Sequence, residues 1–145
     1  MTRTKEAPRI ATAGLLLAAL IAGFIVYGSL YPFRFQALPD GVAWSELFRL
    51  SLARRGGRGD VAANLLLYAP LALALALAFV ARLGPVRAGV LAVLACALLS
   101  TAMEIGQLFV PRRAPSAGDL LLNVAGAIGG AVTAAFVAPR RARGP

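Results

Sequence analysis

The sequence contains no histidine, a single cysteine (Cys96) and only six acidic residues among 145. The lack of histidine excludes catalytic triads, proton relays and metal sites that depend on an imidazole. One cysteine cannot form a disulfide within the chain, so packing is the expected role of Cys96. Charged residues make up 14% of the sequence, whereas a soluble domain has about 25%. This shortage of charge indicates a protein that lies in a lipid bilayer.

Long apolar runs support the membrane interpretation. Hydrophobic residues make up 59% of the chain, and the mean hydropathy is +0.76. A helix needs roughly 20 apolar residues to cross the hydrocarbon core, and four runs reach or approach that length. We therefore predict an all-α integral membrane protein, a four-transmembrane-helix bundle made of two hairpins. The single domain covers 10–138, with helices at about 10–30, 61–81, 88–110 and 119–138, between basic tails at 1–9 and 139–145.

The net charge of +9 comes from basic residues in the tails and loops. In a soluble protein this charge would favour a nucleic-acid partner. Basic residues outside membrane spans interact instead with anionic lipid headgroups. We therefore expect the lipid bilayer as a partner and no nucleic acid.

A long loop between the first two predicted spans contains an amphipathic pattern. Trp44, Leu47, Phe48 and Leu52 recur at helical spacing within residues 32–59. The pattern predicts a short interfacial amphipathic helix after the first span. Such a helix is either a simple headgroup anchor or a lid over a substrate site, and we favour the anchor.

Polar side chains concentrate at three predicted helix ends near one membrane surface. An acid and an amide four residues apart open both the second and the fourth span, and an acid and an amide three residues apart lie late in the third. A charge at the bilayer centre costs about 2.5–3.5 kcal/mol on insertion scales, so these groups must face protein or water rather than lipid. The candidate ligand-binding cluster consists of Asp60, Asn64, Glu104, Gln107, Arg113, Asp119 and Asn123.

Two further patterns concern helix packing. Gly126 and Gly130 form a small-xxx-small face, which predicts close approach of the fourth helix to a neighbour. The matching Gly-Asp-x-x-x-Asn motifs at 59–64 and 118–123 suggest an internal repeat. A repeat of this kind predicts two hairpins related by a pseudo-two-fold axis along the membrane normal.

The polar residues and their spacing resemble those of the VanZ-like family of small bacterial membrane proteins. The resemblance spans about residues 27–130 and departs from the family at Ala72, where members often carry glycine. Polar residues at fixed spacing across three helices make it fairly specific. The matching elements are Tyr-Pro-Phe at 31–33, Asp60-x3-Asn64-x5-Pro70, Glu104-x2-Gln107 and Arg113-x5-Asp119-x3-Asn123-x2-Gly126.

The resemblance implies a multi-pass protein of the bacterial plasma (inner) membrane. For the name-giving member it implies raised resistance to teicoplanin-type glycopeptide antibiotics, without supplying a mechanism. Basic residues are almost equally divided between the two sides, so the positive-inside rule does not decide the orientation. We expect both termini in the cytoplasm, because the polar cluster then lies near the outer surface, where cell-wall precursors are found.

Three functions remain open for the cluster. It can be a structural polar network that fixes helix register. It can bind a lipid-linked cell-envelope precursor or a glycopeptide, with Arg113 as the cation for a phosphate or carboxylate. It can also hold a divalent cation such as Mg²⁺ for an enzyme. The enzyme is the least favoured of these functions, and apart from its divalent cation we expect no cofactor. We assign no catalytic or metal-binding residue and leave the oligomeric state open.

Overall fold

The computed structural model describes residues 3–38, 41, 43, 46, 49, 51, 58–111, 113 and 115–138, with side chains from residue 10 onward except at 58–61. Four long helices make up the bundle: α1 (Arg3–Leu30), α2 (Arg58–Leu83), α3 (Pro85–Gln107) and α4 (Ala117–Val137). Each contains an apolar segment of 21 to 23 residues that is long enough to cross a membrane. The described residues contain no strand. The predicted four-helix membrane bundle is confirmed.

The connection between α2 and α3 is shorter than the predicted turn over 82–87. Gly84 alone separates the two helices, with a φ of 77° that favours glycine because it has no Cβ. Pro85 begins α3, where its missing N–H costs nothing because the first helical N–H groups have no intrahelical partner. The third span therefore begins at residue 85, rather than at the predicted 88.

The end of α3 and the start of α4 also differ from the predicted bounds. Beyond Gln107 the chain tightens into turns, in which Phe109 N donates to Gly106 O and Val110 N donates to Gln107 O, both at 3.1 Å. The regular helix thus ends before the predicted Val110. α4 begins at Ala117 instead of Asp119, because the Ser116 side chain caps it by accepting a hydrogen bond from Asp119 N.

α2 is the central helix of the bundle. It packs against all three others, and its interface with α4 is the most extensive. α1 packs mainly on α2, touches α3 slightly, and makes no backbone approach to α4 within the described residues. Since α3 packs on α2 while α1 stays away from α4, the two hairpins are not equivalently placed. The predicted pseudo-two-fold arrangement is wrong, because the repeated motif spans only one helix of each hairpin and cannot specify how its partner helix packs.

Glycine allows α2 and α4 to cross closely. A Cβ added at Gly126 would lie 2.8 Å from the carbonyl oxygen of Leu65, and one added at Gly130 would overlap the carbonyl oxygen of Ala69. This confirms the predicted small-xxx-small contact face. The surrounding core also consists largely of small side chains, including fully buried Ala72 and Ala127. Membrane helices associate through such close packing, since burial from lipid supplies no hydrophobic driving force.

Large apolar side chains lie on the outside of the bundle. Leu16, Leu20, Leu98 and Phe136 each expose more than two thirds of their surface, which suits contact with lipid. At one end of the bundle, the chain after α1 is tied to the loop after α3 by a 2.9 Å hydrogen bond from Gln36 N to Phe109 O. The predicted amphipathic residues Trp44, Leu47, Phe48 and Leu52 lie outside the described residues, so that helix stays a prediction.

Candidate functional site

A cavity of about 230 Å³ lies at the end of the bundle where α1 ends and α4 begins. All four helices contribute to its wall, together with Arg113 from the loop between α3 and α4. We call it the polar cavity. It contains six of the seven residues of the candidate cluster, and these are Asn64, Glu104, Gln107, Arg113, Asp119 and Asn123.

The seventh candidate, Asp60, lies in the first turn of α2, and its side chain is outside the part of the chain that is described. The helix bundle therefore brings together residues that are up to 59 positions apart in the sequence, from Asn64 to Asn123. Their convergence follows from topology, because α2 and α4 begin at the same surface at which α3 ends. Ligand binding by these residues stays a prediction at this point.

Glu104 connects α3 to the beginning of α4. Its Oε2 accepts a 2.6 Å hydrogen bond from the backbone N–H of Ser116, the residue that caps α4. A hydrogen bond to an ionised carboxylate is short and strong, and the N-terminal end of a helix also favours a negative charge. Ser116 is only 1% exposed. Glu104 thus fixes the loop that carries Arg113.

Asn123 forms the deep part of the cavity wall. Its Nδ2 donates a 2.8 Å hydrogen bond to Ser100 Oγ, and both residues are buried. The hydroxyl of buried Tyr68 also contacts Ser100, which joins α2, α3 and α4 through neutral polar groups. Asn123 Oδ1 is buried as well and has no hydrogen-bond partner among the described residues. An unsatisfied buried acceptor costs about 1–3 kcal/mol, so it is an unusual feature of this wall.

Arg113 spans the mouth of the cavity. Its Nη2 donates a 3.0 Å hydrogen bond to the carbonyl oxygen of Gly28 near the end of α1. The guanidinium is exposed and has five N–H donors in total. α1 and α4 both line the cavity although their backbones do not approach each other. We call this separation between α1 and α4 the gap. Arg113 links α1 to the loop that precedes α4.

Two contributors to the site fall outside the predicted cluster. Tyr68 lies four residues after Asn64, so helical spacing alone places both on one face of α2. Ser116 acts through its backbone N–H and as the cap of α4. That role depends on where α4 begins, and the sequence pattern had placed the start at Asp119.

The described side chains offer little to a metal ion. No group of three or more His, Cys, Asp or Glu residues among them could hold one. Of the three acids in the predicted cluster, only Glu104 and Asp119 have described side chains. A magnesium site that includes Asp60 remains a prediction.

Comparison with known proteins identifies a family. No curated protein and no solved structure gives a significant match to the chain. The sequence profile of the VanZ/LLP1 family matches residues 14–138, a range that includes every candidate residue and nearly all of the four spans. With four apolar helices, the chain is a multi-pass membrane protein, and it belongs to the VanZ/LLP1 family.

Proposed function

We propose that the polar cavity binds the head group of a lipid-linked cell-envelope precursor, and that the protein contributes in this way to resistance to teicoplanin-type glycopeptides. The observation that carries the proposal is the cavity itself. Six polar side chains from three helices and a loop surround about 230 Å³ of open space near the membrane surface.

The gap between α1 and α4 favours a lipid as the ligand. Both helices line the polar cavity, yet their backbones do not meet. α1 is also poorly covered, with 11% of its span buried in the bundle. A lipid entering between them keeps its chain in the bilayer while its head group occupies the cavity, so no apolar chain has to cross water.

The charged groups favour a phosphate in that head group. Arg113 at the mouth presents a planar guanidinium, which suits phosphate oxygens geometrically. The amide groups of Asn64 and Gln107 add neutral hydrogen-bond donors along the same wall. A drug-sized ligand usually fills about 300–1,000 Å³, so this smaller cavity suits a head group better than a whole glycopeptide.

A purely structural network is the competing explanation. The Asn123–Ser100 and Glu104–Ser116 hydrogen bonds do join helices, as such a network requires. A network that served packing alone would also fill its space and satisfy its members. The open volume and the unsatisfied Asn123 Oδ1 favour binding instead. A serine nucleophile is not favoured, because the sequence has no histidine to activate Ser100 or Ser116.

Lipid binding by purified protein tests the proposal. Native mass spectrometry in detergent should show retention of a polyprenyl phosphate and weaker retention of the uncharged polyprenol. Arg113→Gln should weaken polyprenyl phosphate binding at least tenfold, because it removes the cation. Arg87→Gln, which removes an exposed arginine near the opposite end of the bundle, is the matched control and should bind normally.

Inorganic phosphate distinguishes a lipid site from a site for the free anion. It should compete poorly, since it lacks the chain that holds the head group at the gap. Equal retention of polyprenol and polyprenyl phosphate would contradict the proposal. In a glycopeptide-susceptible host, expression of the protein should raise the teicoplanin concentration needed to inhibit growth, and Arg113→Gln should abolish that rise while Arg87→Gln preserves it.

The proposed site lies in the outer leaflet, with both termini in the cytoplasm. Accessibility of a cysteine at Pro111 tests this orientation in intact cells, because Pro111 is exposed beside the cavity and the native Cys96 is buried. An impermeant maleimide should label Pro111→Cys before lysis. Labelling that requires lysis would place the polar cavity at the cytoplasmic surface.

A further inference from the structure

Asn123 differs from the other described cavity residues because it has a buried side-chain acceptor without a hydrogen-bond partner. It is 5% exposed, lies in the cavity wall, and its Oδ1 has no hydrogen-bond partner among the residues that the structure describes. Its Nδ2 is fixed by donation to Ser100 Oγ at 2.8 Å. The Nδ2 end of the amide is therefore held in place, and the Oδ1 end presents an acceptor in the cavity wall.

An acceptor of this kind requires a donor from outside the described network. Buried polar atoms in folded proteins nearly always have a partner, so an acceptor of this kind beside a cavity points to a donor inside the cavity, which is either water or a ligand hydroxyl. Asn123 is bonded to Ser100, which also contacts the Tyr68 hydroxyl, so the groups directly joined to it are neutral and buried. The Glu104 carboxylate lies within electrostatic reach of Tyr68 in the same cavity. A neutral hydroxyl suits this deep position better than an ammonium group, because burial of a charge is far more costly.

We propose that Asn123 is a specificity-determining residue that accepts a hydrogen bond from a sugar hydroxyl of the bound lipid. Arg113 holds the phosphate at the mouth, and the sugar attached to it extends toward Asn123. The inference rests on the proposed function and narrows its ligand class to glycosylated polyprenyl phosphates. Ser100 is the positioning residue, since it orients the amide without touching the ligand.

Two lipids that differ in the sugar test this inference. Native mass spectrometry should show that the wild-type protein binds a polyprenyl phosphate carrying one hexose at least tenfold more tightly than the bare polyprenyl phosphate. Asn123→Leu should bind the two lipids with equal affinity, because it removes the acceptor that distinguishes them. Thr133→Ala is the control on the same helix. Thr133 is exposed and its hydroxyl donates to Gly129 O of its own helix, so this variant should keep the preference.

A second variant covers the case in which Asn123→Leu fails to fold. Asn123→Ala removes the same acceptor without adding bulk or charge, so it should also bind the two lipids with equal affinity. Equal binding of the two lipids by the wild-type protein would overturn the inference and leave phosphate binding intact. A preference that survives in folded Asn123→Leu would also overturn it. Failure of both lipids to bind better than polyprenol would instead refute the proposed function.

Discussion

Within about one helical turn, the interface between α2 and α4 changes from close backbone packing to the wall of an open cavity. Toward the middle of the bundle, Gly126 and Gly130 bring the α4 backbone directly against Leu65 and Ala69. Toward the loop end, Asn123 and its neighbours line open space instead. One set of residues on these helices therefore holds the helices together, and another set on the same helices surrounds a cavity. Substitutions in the first set should lower stability, whereas substitutions in the second should mainly weaken lipid binding.

Gly130→Ala should produce the largest effect on stability. A methyl group there overlaps the carbonyl oxygen of Ala69, which is backbone and cannot move aside cheaply. Overpacking of this kind costs about 1–3 kcal/mol and sometimes more. The expected result is a clear drop in the thermal unfolding temperature of the purified protein in detergent.

Gly129→Ala is the matched control for this experiment. It lies next to Gly130 in the same helix, but a Cβ added at Gly129 meets no atom within 4 Å. Alanine has the higher helix propensity, so Gly129→Ala should be neutral or slightly stabilising. Equal destabilisation by both substitutions would show that glycine matters for helix flexibility rather than for the close contact with α2.

Glu104→Gln should have a smaller effect on stability and a larger one on binding. Glutamine can still accept the hydrogen bond from Ser116 N, but the bond loses its charge. Replacing a charged hydrogen bond by a neutral one costs about 1 kcal/mol. Because this bond fixes the loop that bears Arg113, polyprenyl phosphate binding should weaken several-fold.

Stability and lipid binding of Glu104→Gln should be measured on the same preparation, by thermal unfolding in detergent and by native mass spectrometry. Together they show whether Glu104 mainly holds the helices together or mainly supports the cavity. A large loss of stability with normal lipid binding would place Glu104 among the residues that hold the helices together. Asp119→Asn offers a second test at the start of α4, where a similar pattern is expected because Asp119 also lines the cavity.

Much of this architecture could be predicted from simple physical constraints on the sequence. The thickness of the bilayer determines the minimum length of each span, and the cost of placing Glu104 in lipid implied a shared polar site. The spacing of Gly126 and Gly130 predicts a close helix contact but does not identify the helix that they meet. Helical spacing on the spans was sufficient to select five polar residues that converge on one cavity, and a sixth, Arg113, lies in the loop between α3 and α4.

The remaining features depend on tertiary contacts. The beginning of α4 follows from the capping geometry of Ser116, and the bond from Arg113 to Gly28 joins residues 85 positions apart. Neither leaves a periodic signal in the sequence. The gap between α1 and α4 depends on which helices pack together, which the repeated Asp-x-x-x-Asn motif cannot determine.

An experimental structure of the protein in nanodiscs with a glycosylated polyprenyl phosphate tests the central claim most directly. We predict density for a head group within the polar cavity, with its phosphate at Arg113, a sugar hydroxyl within hydrogen-bond distance of Asn123 Oδ1, and a lipid chain leaving between α1 and α4. A cavity that is closed by protein side chains, with Asn123 Oδ1 satisfied inside the bundle and the lipid bound elsewhere, would contradict the account.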